Sequence, residues 1–334
     1  MDKLTTSIHQ TRFFAINCSN DTSLHTVMVN AYGGVLILAD IFLLIVRLVY
    51  IVLEATYRLL VPVEEKSVAG EIVLITGAGH GIGRELALKY ASLGATVVCW
   101  DLNVQGNQET VDQVMKLGTS KAHGYQCDVS NRDDVIKTAK KVYSEVGNVT
   151  ILINNAGIMP CQPFLEYSPE TIKKIFDVNV MAHFWMNQAF LPSMINNNHG
   201  HIVALSSMAG VTGLVNLVPY CGSKFAVRGM MEALNDEVRI LMGNRESNVK
   251  FTTIYPYMVD TGLCKKPKIR FTSLMGIVPP KEAAAQIVTA QRRNYADVSI
   301  PRCWMSVNST LRNFPDKVLV LTKNFFDCGV EATD

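Results

Sequence analysis

The sequence lacks the features that mark several large functional classes. Its charge is nearly balanced, with 31 Lys and Arg against 29 Asp and Glu in 334 residues. No basic run is long enough to follow a phosphate backbone, so nucleic acid is not an expected partner. Eight cysteines stand far apart at positions 18, 99, 127, 161, 221, 264, 303 and 328, with no Cys-x-x-Cys and no Cys/His cluster. That pattern excludes a disulfide scaffold or a zinc site and reads as free thiols in a reducing compartment. There is no internal repeat. Charged residues make up only 18% of the chain against 49% hydrophobic ones, a ratio that calls for a membrane segment or an unusually apolar surface.

One long apolar run is present, at residues 31–60. Its centre, 35–53, carries only Asp40 and Arg47 as charges. Nineteen residues suit a membrane helix. Each charge costs about 2.5–3.5 kcal/mol at a bilayer centre, although Arg47 can snorkel. About thirty polar residues precede the run, which fits a cleaved signal peptide poorly. A buried core helix is the alternative to an uncleaved anchor that spans the membrane or lies in its interface. Arg12 before the run and Arg58 and Lys66 after it barely discriminate an orientation. Asn17 and Asn20 match glycosylation acceptors and matter only if the tail is luminal.

From residue 68 onward short apolar strands alternate with helical segments. Strands are predicted at 71–76, 95–100, 123–127, 150–154, 201–206 and 250–255. Helices are predicted at 84–93, 108–117, 133–146, 169–192, around 220–224, and at 281–294. This alternation predicts an α/β fold with a doubly wound parallel sheet. The chain divides into a tail (1–30), an apolar anchor (31–60), a catalytic domain (68–300) and a C-terminal extension (301–334).

Three stretches carry chemistry. Gly77, Gly81 and Gly83 punctuate the first strand-to-helix turn, where backbone approaches a pyrophosphate and the helix N-terminus favours its charge. The spacing is Gly-x-x-x-Gly-x-Gly, and such a turn can also be purely structural. Asp101 ends the second strand eighteen residues beyond Gly83, in position to accept hydrogen bonds from an adenosine ribose. A carboxylate there repels a 2′-phosphate and points to NAD over NADP, while His80 and Arg84 near the turn are the counter-signal. Finally, Ser207 precedes Tyr220 by thirteen residues and Lys224 follows it by four, on one helical face. A Lys beside a Tyr favours the phenolate, and such a Tyr exchanges a proton with an alcohol or carbonyl oxygen that the Ser hydroxyl holds.

Thr76-Gly-x-x-x-Gly-Ile-Gly83, Asp128-Val129, Asn154-Asn-Ala-Gly157, Asn179, Ser207, Tyr220-x-x-x-Lys224 and Pro256 occur in an order and spacing that resemble the short-chain dehydrogenase/reductases. The likeness covers about residues 68–300. With the apolar N-terminal run, it is similar to the membrane-associated retinol and 17β-hydroxysteroid branch. The resemblance implies a Rossmann-type sheet binding NAD, with Gly77, Gly81, Ile82 and Gly83 at the phosphates and Asp101 at the ribose. It places Asp128 and Val129 near the adenine, and Asn155, Ala156 and Gly157 along the cofactor. By the same resemblance Tyr220 is the general acid/base and Ser207 orients the substrate. Lys224 would bind the nicotinamide ribose and lower the Tyr220 pKa, and Asn179 would hold a relay water. Pro256, Val259 and Thr261 match cofactor-contacting positions, but Tyr257 stands where the family usually has glycine.

The implied reaction interconverts a lipophilic alcohol and its carbonyl, retinol and retinal being the leading pair. A 17β-hydroxysteroid or long-chain fatty alcohol is the alternative, and a membrane or lipid-droplet coat protein without turnover is the non-enzymatic one. The expected location is the endoplasmic reticulum membrane or the lipid-droplet surface, with the catalytic domain cytosolic and a homodimer implied. The basic and apolar segment 262–280 suits a lid over the substrate or a solvated loop, and 311–326 a second membrane contact or a capping helix. His183 and His201 have no partners at metal or triad spacing and read as structural.

Overall fold

A computed structural model describes residues 22–243, 247–272, 276–327 and 329–332. The tail residues 1–21, with Asn17 and Asn20, lie outside the described residues. The chain forms two compact units, Met1–Val63 and Glu64–Asp334. The described part of the first unit is essentially one helix, α1 (Thr22–Leu60), which starts well before the apolar run. Its stretch Gly33–Arg58 has a mean hydropathy of 2.7 and buries nothing within the unit. Twenty-six helical residues rise about 39 Å, enough to cross a hydrocarbon layer of about 30 Å.

In the second unit, β1 (Ile72–Thr76), α2 (Gly81–Ser92), β2 (Thr96–Asp101), α3 (Val104–Lys116), β3 (Ala122–Gln126), α4 (Arg132–Glu145) and β4 (Ile151–Asn154) follow one another. Then come α5 (Pro169–Phe176), α6 (Ala182–Asn196), β5 (Gly200–Leu205), α7 (Val218–Leu241) and β6 (Val249–Pro256). The chain continues through β7 (Pro267–Lys268), α8 (Pro280–Arg292), β8 (Asp297–Ile300), α9 (Cys303–Leu311), α10 (Asp316–Phe326) and β9 (Gly329–Val330). Seven parallel strands form a sheet in the order β3-β2-β1-β4-β5-β6-β8. The order reverses between β1 and β4, where a doubly wound sheet opens a crevice at its carboxyl edge.

Strand side chains alternate between two cores. Val73, Ile75, Val97, Cys99, Ile151 and Ile153 pack with residues of α2, α3 and α8 such as Leu86, Val114 and Ile287. Leu74, Val98, Trp100 and Leu152 face the other way, onto Val142 of α4, Phe190 of α6 and Val227 of α7. A sheet covered on both faces explains why its central strands read as unbroken apolar runs.

Two elements differ from expectation. The single helix expected at 169–192 is α5, a π-helical turn Asp177–Met181 and then α6, which continues past Pro192. The extra residue of a π turn re-aims side chains without breaking the apolar pattern, so periodicity did not reveal it. The seventh strand, β8, was not anticipated, because four residues beginning with Asp are too short for a period to stand out. The C-terminal segment folds back, and β9 pairs antiparallel with β7.

Candidate active site

The turn from β1 into α2 needs its glycines for different reasons. Gly77 (φ +67°) and Gly81 (φ +56°) lie in the left-handed region. At Gly83 the limit is contact, since a Cβ there would sit 2.0 Å from the Gly77 carbonyl oxygen. Gly79 was not singled out by sequence; its N–H donates to Asp101 Oδ2 at 2.8 Å, and a Cβ would come within 2.9 Å of that oxygen. The other carboxylate oxygen of Asp101 accepts from the Asn103 N–H at 2.8 Å. The Asp101 carboxylate and the glycine turn therefore hold each other. Arg84 does not face a ligand. Its guanidinium donates to the Gly79 (2.6 Å) and Gly106 (3.2 Å) carbonyls, to Thr110 Oγ1 and to Glu109 Oε2.

Next along the carboxyl edge, Asp128 folds its carboxylate onto Ser130, accepting from the N–H at 3.0 Å and the hydroxyl at 2.7 Å. The loop after β4 is stapled to the turn. Asn155 donates through Nδ2 to the Thr76 (2.9 Å) and Gly77 (3.2 Å) carbonyls, and Thr76 Oγ1 accepts the N–H groups of Asn155 and Ala156. Thr76 belongs to the quoted motif, but its work as a staple shows only in three dimensions. From the far side Thr261 lies over the turn, its Cβ 3.1 Å from where a Cβ on Gly81 would stand. Val259 forms a parallel bridge with Val278.

At the other end, α7 starts at Val218 and brings Tyr220 and Lys224 against Ser207. Ser207 Oγ donates to the Pro256 carbonyl at 3.3 Å and accepts the Ala209 N–H at 3.1 Å. Lys224 Nζ donates to the Leu205 carbonyl at 2.7 Å and lies 5.7 Å from the centre of the Tyr220 ring. Both side chains are buried. Burial pushes the Tyr220 phenol up to about 12 against the opposing pull of its hydrogen bond with Ser207, and lowers Lys224 to about 8. Burial, and not the lysine, sets the direction of the Tyr220 shift. Desolvation disfavours the charged form of each group.

Asn179, fully buried in the π turn, clamps main chain: Oδ1 accepts the Ile158 N–H at 2.8 Å, and Nδ2 donates to the Ile158 carbonyl (2.9 Å) and to Ser223 Oγ (3.1 Å). Both amide protons are committed, leaving one acceptor lone pair.

Gly77, Gly81, Ile82, Asp101, Asp128, Val129, Asn155, Ala156, Gly157, Ser207, Tyr220, Lys224, Pro256, Val259 and Thr261 all line one cavity of about 460 Å³. Gly83 and Asn179 do not line it. Around Tyr220 the lining turns apolar, with Met159, Leu214, Leu217, Met258, Leu263 and Val330. Sequence reasoning missed these residues because four separate segments contribute them, and Val330 arrives through the β7–β9 pairing.

These residues fit a nicotinamide dinucleotide. Two left-handed glycines open the N-terminus of a twelve-residue helix with no carboxylate in its first turn, and the cleft runs from Asp101 to the phenol. Fold and site together define a dinucleotide-dependent oxidoreductase of the Rossmann type.

Comparison with known proteins agrees. The family model for short chain dehydrogenases matches residues 71–269. The chain is 43% identical to human epidermal retinol dehydrogenase 2 over 250 residues, 75% of this chain and 80% of that one. It is 41% identical to human estradiol 17-beta-dehydrogenase 11 over 295 residues, 88% and 96% of the two chains. A short chain dehydrogenase/reductase from Burkholderia phymatum, solved in complex with NAD, superposes with a TM-score of 0.67 at 26% identity, covering 80% of this chain and 98% of its own. The chain belongs to the short-chain dehydrogenase/reductase family, and it is an alcohol oxidoreductase that uses a nicotinamide cofactor.

Proposed function

We propose that the protein interconverts a lipophilic alcohol and its carbonyl with NAD, retinol and retinal being the leading pair. The observation that carries this is the apolar cavity end converging on Tyr220 and Ser207. An apolar lining with a few placed polar groups suits a hydrophobic substrate with a single reacting oxygen. Ser207 holds that oxygen, and the Tyr220 hydroxyl exchanges the proton with it. Lys224 supports the cofactor ribose, and Asn179 positions the Ile158 segment while offering its remaining lone pair to a relay water. A bound nicotinamide supplies the hydride acceptor or donor. Gly77, Gly81, Ile82, Val129, Asn155 to Gly157, Pro256, Val259 and Thr261 are assigned to the cofactor's length.

Solved relatives are complexed with either dinucleotide. Asp101 supports NAD here, because its negative charge opposes a 2′-phosphate and the Arg84 guanidinium is committed to carbonyls and Glu109. A 17β-hydroxysteroid is the second reading, favoured by the longer match to estradiol 17-beta-dehydrogenase 11. We assign residues 31–60 as the anchor, in the endoplasmic reticulum membrane or on a lipid droplet, with a cytosolic catalytic domain at 68–300. The unburied apolar face of α1 supports this. Membranes containing the protein, offered NAD with retinol, estradiol or a long-chain alcohol, are expected to form NADH. Turnover no higher than in Tyr220→Phe for every substrate refutes the reaction.

A further inference from the structure

Part of the apolar wall around Tyr220 comes from the far C-terminus. Val330 lies in the two-residue strand β9, which pairs antiparallel with β7 and sets Val330 opposite Pro267. Successive strand side chains face opposite ways. Val330 is 6% exposed and lines the cavity, in one apolar cluster with Tyr220, Leu217 and Met258, whereas Glu331 is exposed. β9 is thus a strap whose inner face is cavity wall.

Polar contacts fix the strap. The Glu331 N–H donates to the Lys266 carbonyl at 3.0 Å, the Cys161 thiol donates to the Glu331 carbonyl at 3.4 Å, and Lys268 Nζ pairs with the Asp327 carboxylate at 2.8 Å. A further contact reaches the reacting centre: Asn216 Nδ2 donates to the Val330 carbonyl at 3.1 Å. Asn216 stands between the cavity residues Leu214 and Leu217, in the loop that joins Ser207 to the helix bearing Tyr220. Its backbone is left-handed (φ +64°), a conformation that Asn and Asp adopt more readily than other residues with a side chain. Its carbonyl accepts the Gln162 N–H and the Tyr167 hydroxyl, both at 3.1 Å. The same loop is held from the C-terminal extension by Asn308 and Arg312, which donate to the Val211 carbonyl, and by Lys323 Nζ, which donates to the Gly213 carbonyl at 3.0 Å. The extension therefore steadies the loop before Tyr220 and supplies a side chain to the cavity beside it.

We propose that Val330 is a specificity-determining residue whose side chain sets the width of the site for the body of the alcohol, and that Asn216 is the positioning residue that holds it there. A broad polycyclic alcohol needs the space the valine methyls occupy, whereas a straight chain passes them. This deepens the proposed reaction and rests on it.

The test uses the full chain in membranes, as wild type, Val330→Ala, Val330→Phe and Asn216→Asp. kcat/KM with NAD is measured for estradiol and for a straight-chain fatty alcohol, beside NADH affinity. Val330→Ala is expected to raise the ratio of estradiol to fatty alcohol by about tenfold, the effect of one or two carbon atoms in an apolar pocket, and Val330→Phe to lower it by a similar factor. Asn216→Asp keeps the size and the left-handed backbone but replaces the donor with an acceptor. It should loosen the strap and move the ratio in the direction of Val330→Ala by a smaller factor. NADH affinity should not move. In the ligand-free protein N-ethylmaleimide should alkylate Cys264, a half-buried thiol of the cavity lining, about threefold faster in Val330→Ala and about threefold slower in Val330→Phe, read by peptide mass. A ratio within about twofold of wild type in both Val330 variants overturns the proposal, because a residue that only supports the fold changes both rates together. A ratio unmoved in Asn216→Asp alone overturns the role of Asn216. Should Val330→Phe not fold, Val330→Ala decides by itself. If wild type turns over neither alcohol, the proposed reaction is refuted and the alkylation rates decide on the wall: rates that follow side-chain size support it, and unchanged rates overturn it.

Discussion

The Asp101→Asn substitution tests the cofactor assignment and separates two terms. The wild-type carboxylate already accepts N–H groups from Gly79 and Asn103, both at 2.8 Å, and in the proposed assignment its remaining lone pairs meet the ribose. A hydrogen bond to a charged acceptor contributes about 1.5–3 kcal/mol, so its weakening should lower kcat/KM for NAD by roughly 10- to 100-fold. A 2′-phosphate of charge near −2 about 5 Å from the carboxylate is opposed by about 2 kcal/mol in a water-like dielectric, so removing the charge should raise kcat/KM for NADP by roughly tenfold. Together the NAD-to-NADP ratio should fall by about 100- to 1,000-fold. Asn also turns an NH₂ toward one of the two N–H donors, which loosens the phosphate turn. Because Arg84 stays bound to Gly79, Gly106 and Glu109, NADP should not reach the wild-type rate with NAD. Initial rates of reduced-cofactor formation with both dinucleotides give the ratio. A ratio within threefold of wild type, or a wild type that prefers NADP, refutes the reasoning.

Gly83→Ala should destabilise the unit by about 2–4 kcal/mol, because the new methyl meets main-chain oxygen that cannot swing aside; denaturant melts measure it. Tyr220→Phe should retain NADH affinity within a few-fold while kcat drops by about 10²- to 10⁴-fold, a split read by fluorescence titration beside turnover. Carbonyl reduction should be flat from pH 6 to near 8 and then decline. The phenol, pushed up to about 12, remains a proton donor throughout, whereas Lys224 loses its charge near 8. Lys224→Arg should move that decline upward, and a profile that rises with pH refutes the assignment. Residues 64–334 expressed alone should fold and bind NADH within threefold of the full chain, since they form their own compact unit; recovery only as unfolded aggregate contradicts that division.

Much of this protein is local in origin and was therefore legible in the sequence. The alternation of apolar strands with helices implied the parallel sheet, since a sheet covered on both faces leaves continuous apolar runs. Gly77 and Gly81 recorded backbone conformations that other residues adopt only under strain. The spacing of Tyr220 and Lys224 followed from the helix repeat. Other features depend on groups far apart in sequence meeting in space, which no local pattern records. Only the tertiary structure engaged Arg84 with Gly106 and Glu109, which withdraws one of the two counter-signals, while His80 still lines the cavity. Only burial among residues distant in sequence pushed the Tyr220 phenol up. The strand Asp297–Ile300 and the return of Val330 to the cavity likewise rest on long-range pairing. His183, which the sequence presented as a structural histidine, proves to be buried with neither ring nitrogen partnered among the described residues, because helix packing sets what surrounds a side chain.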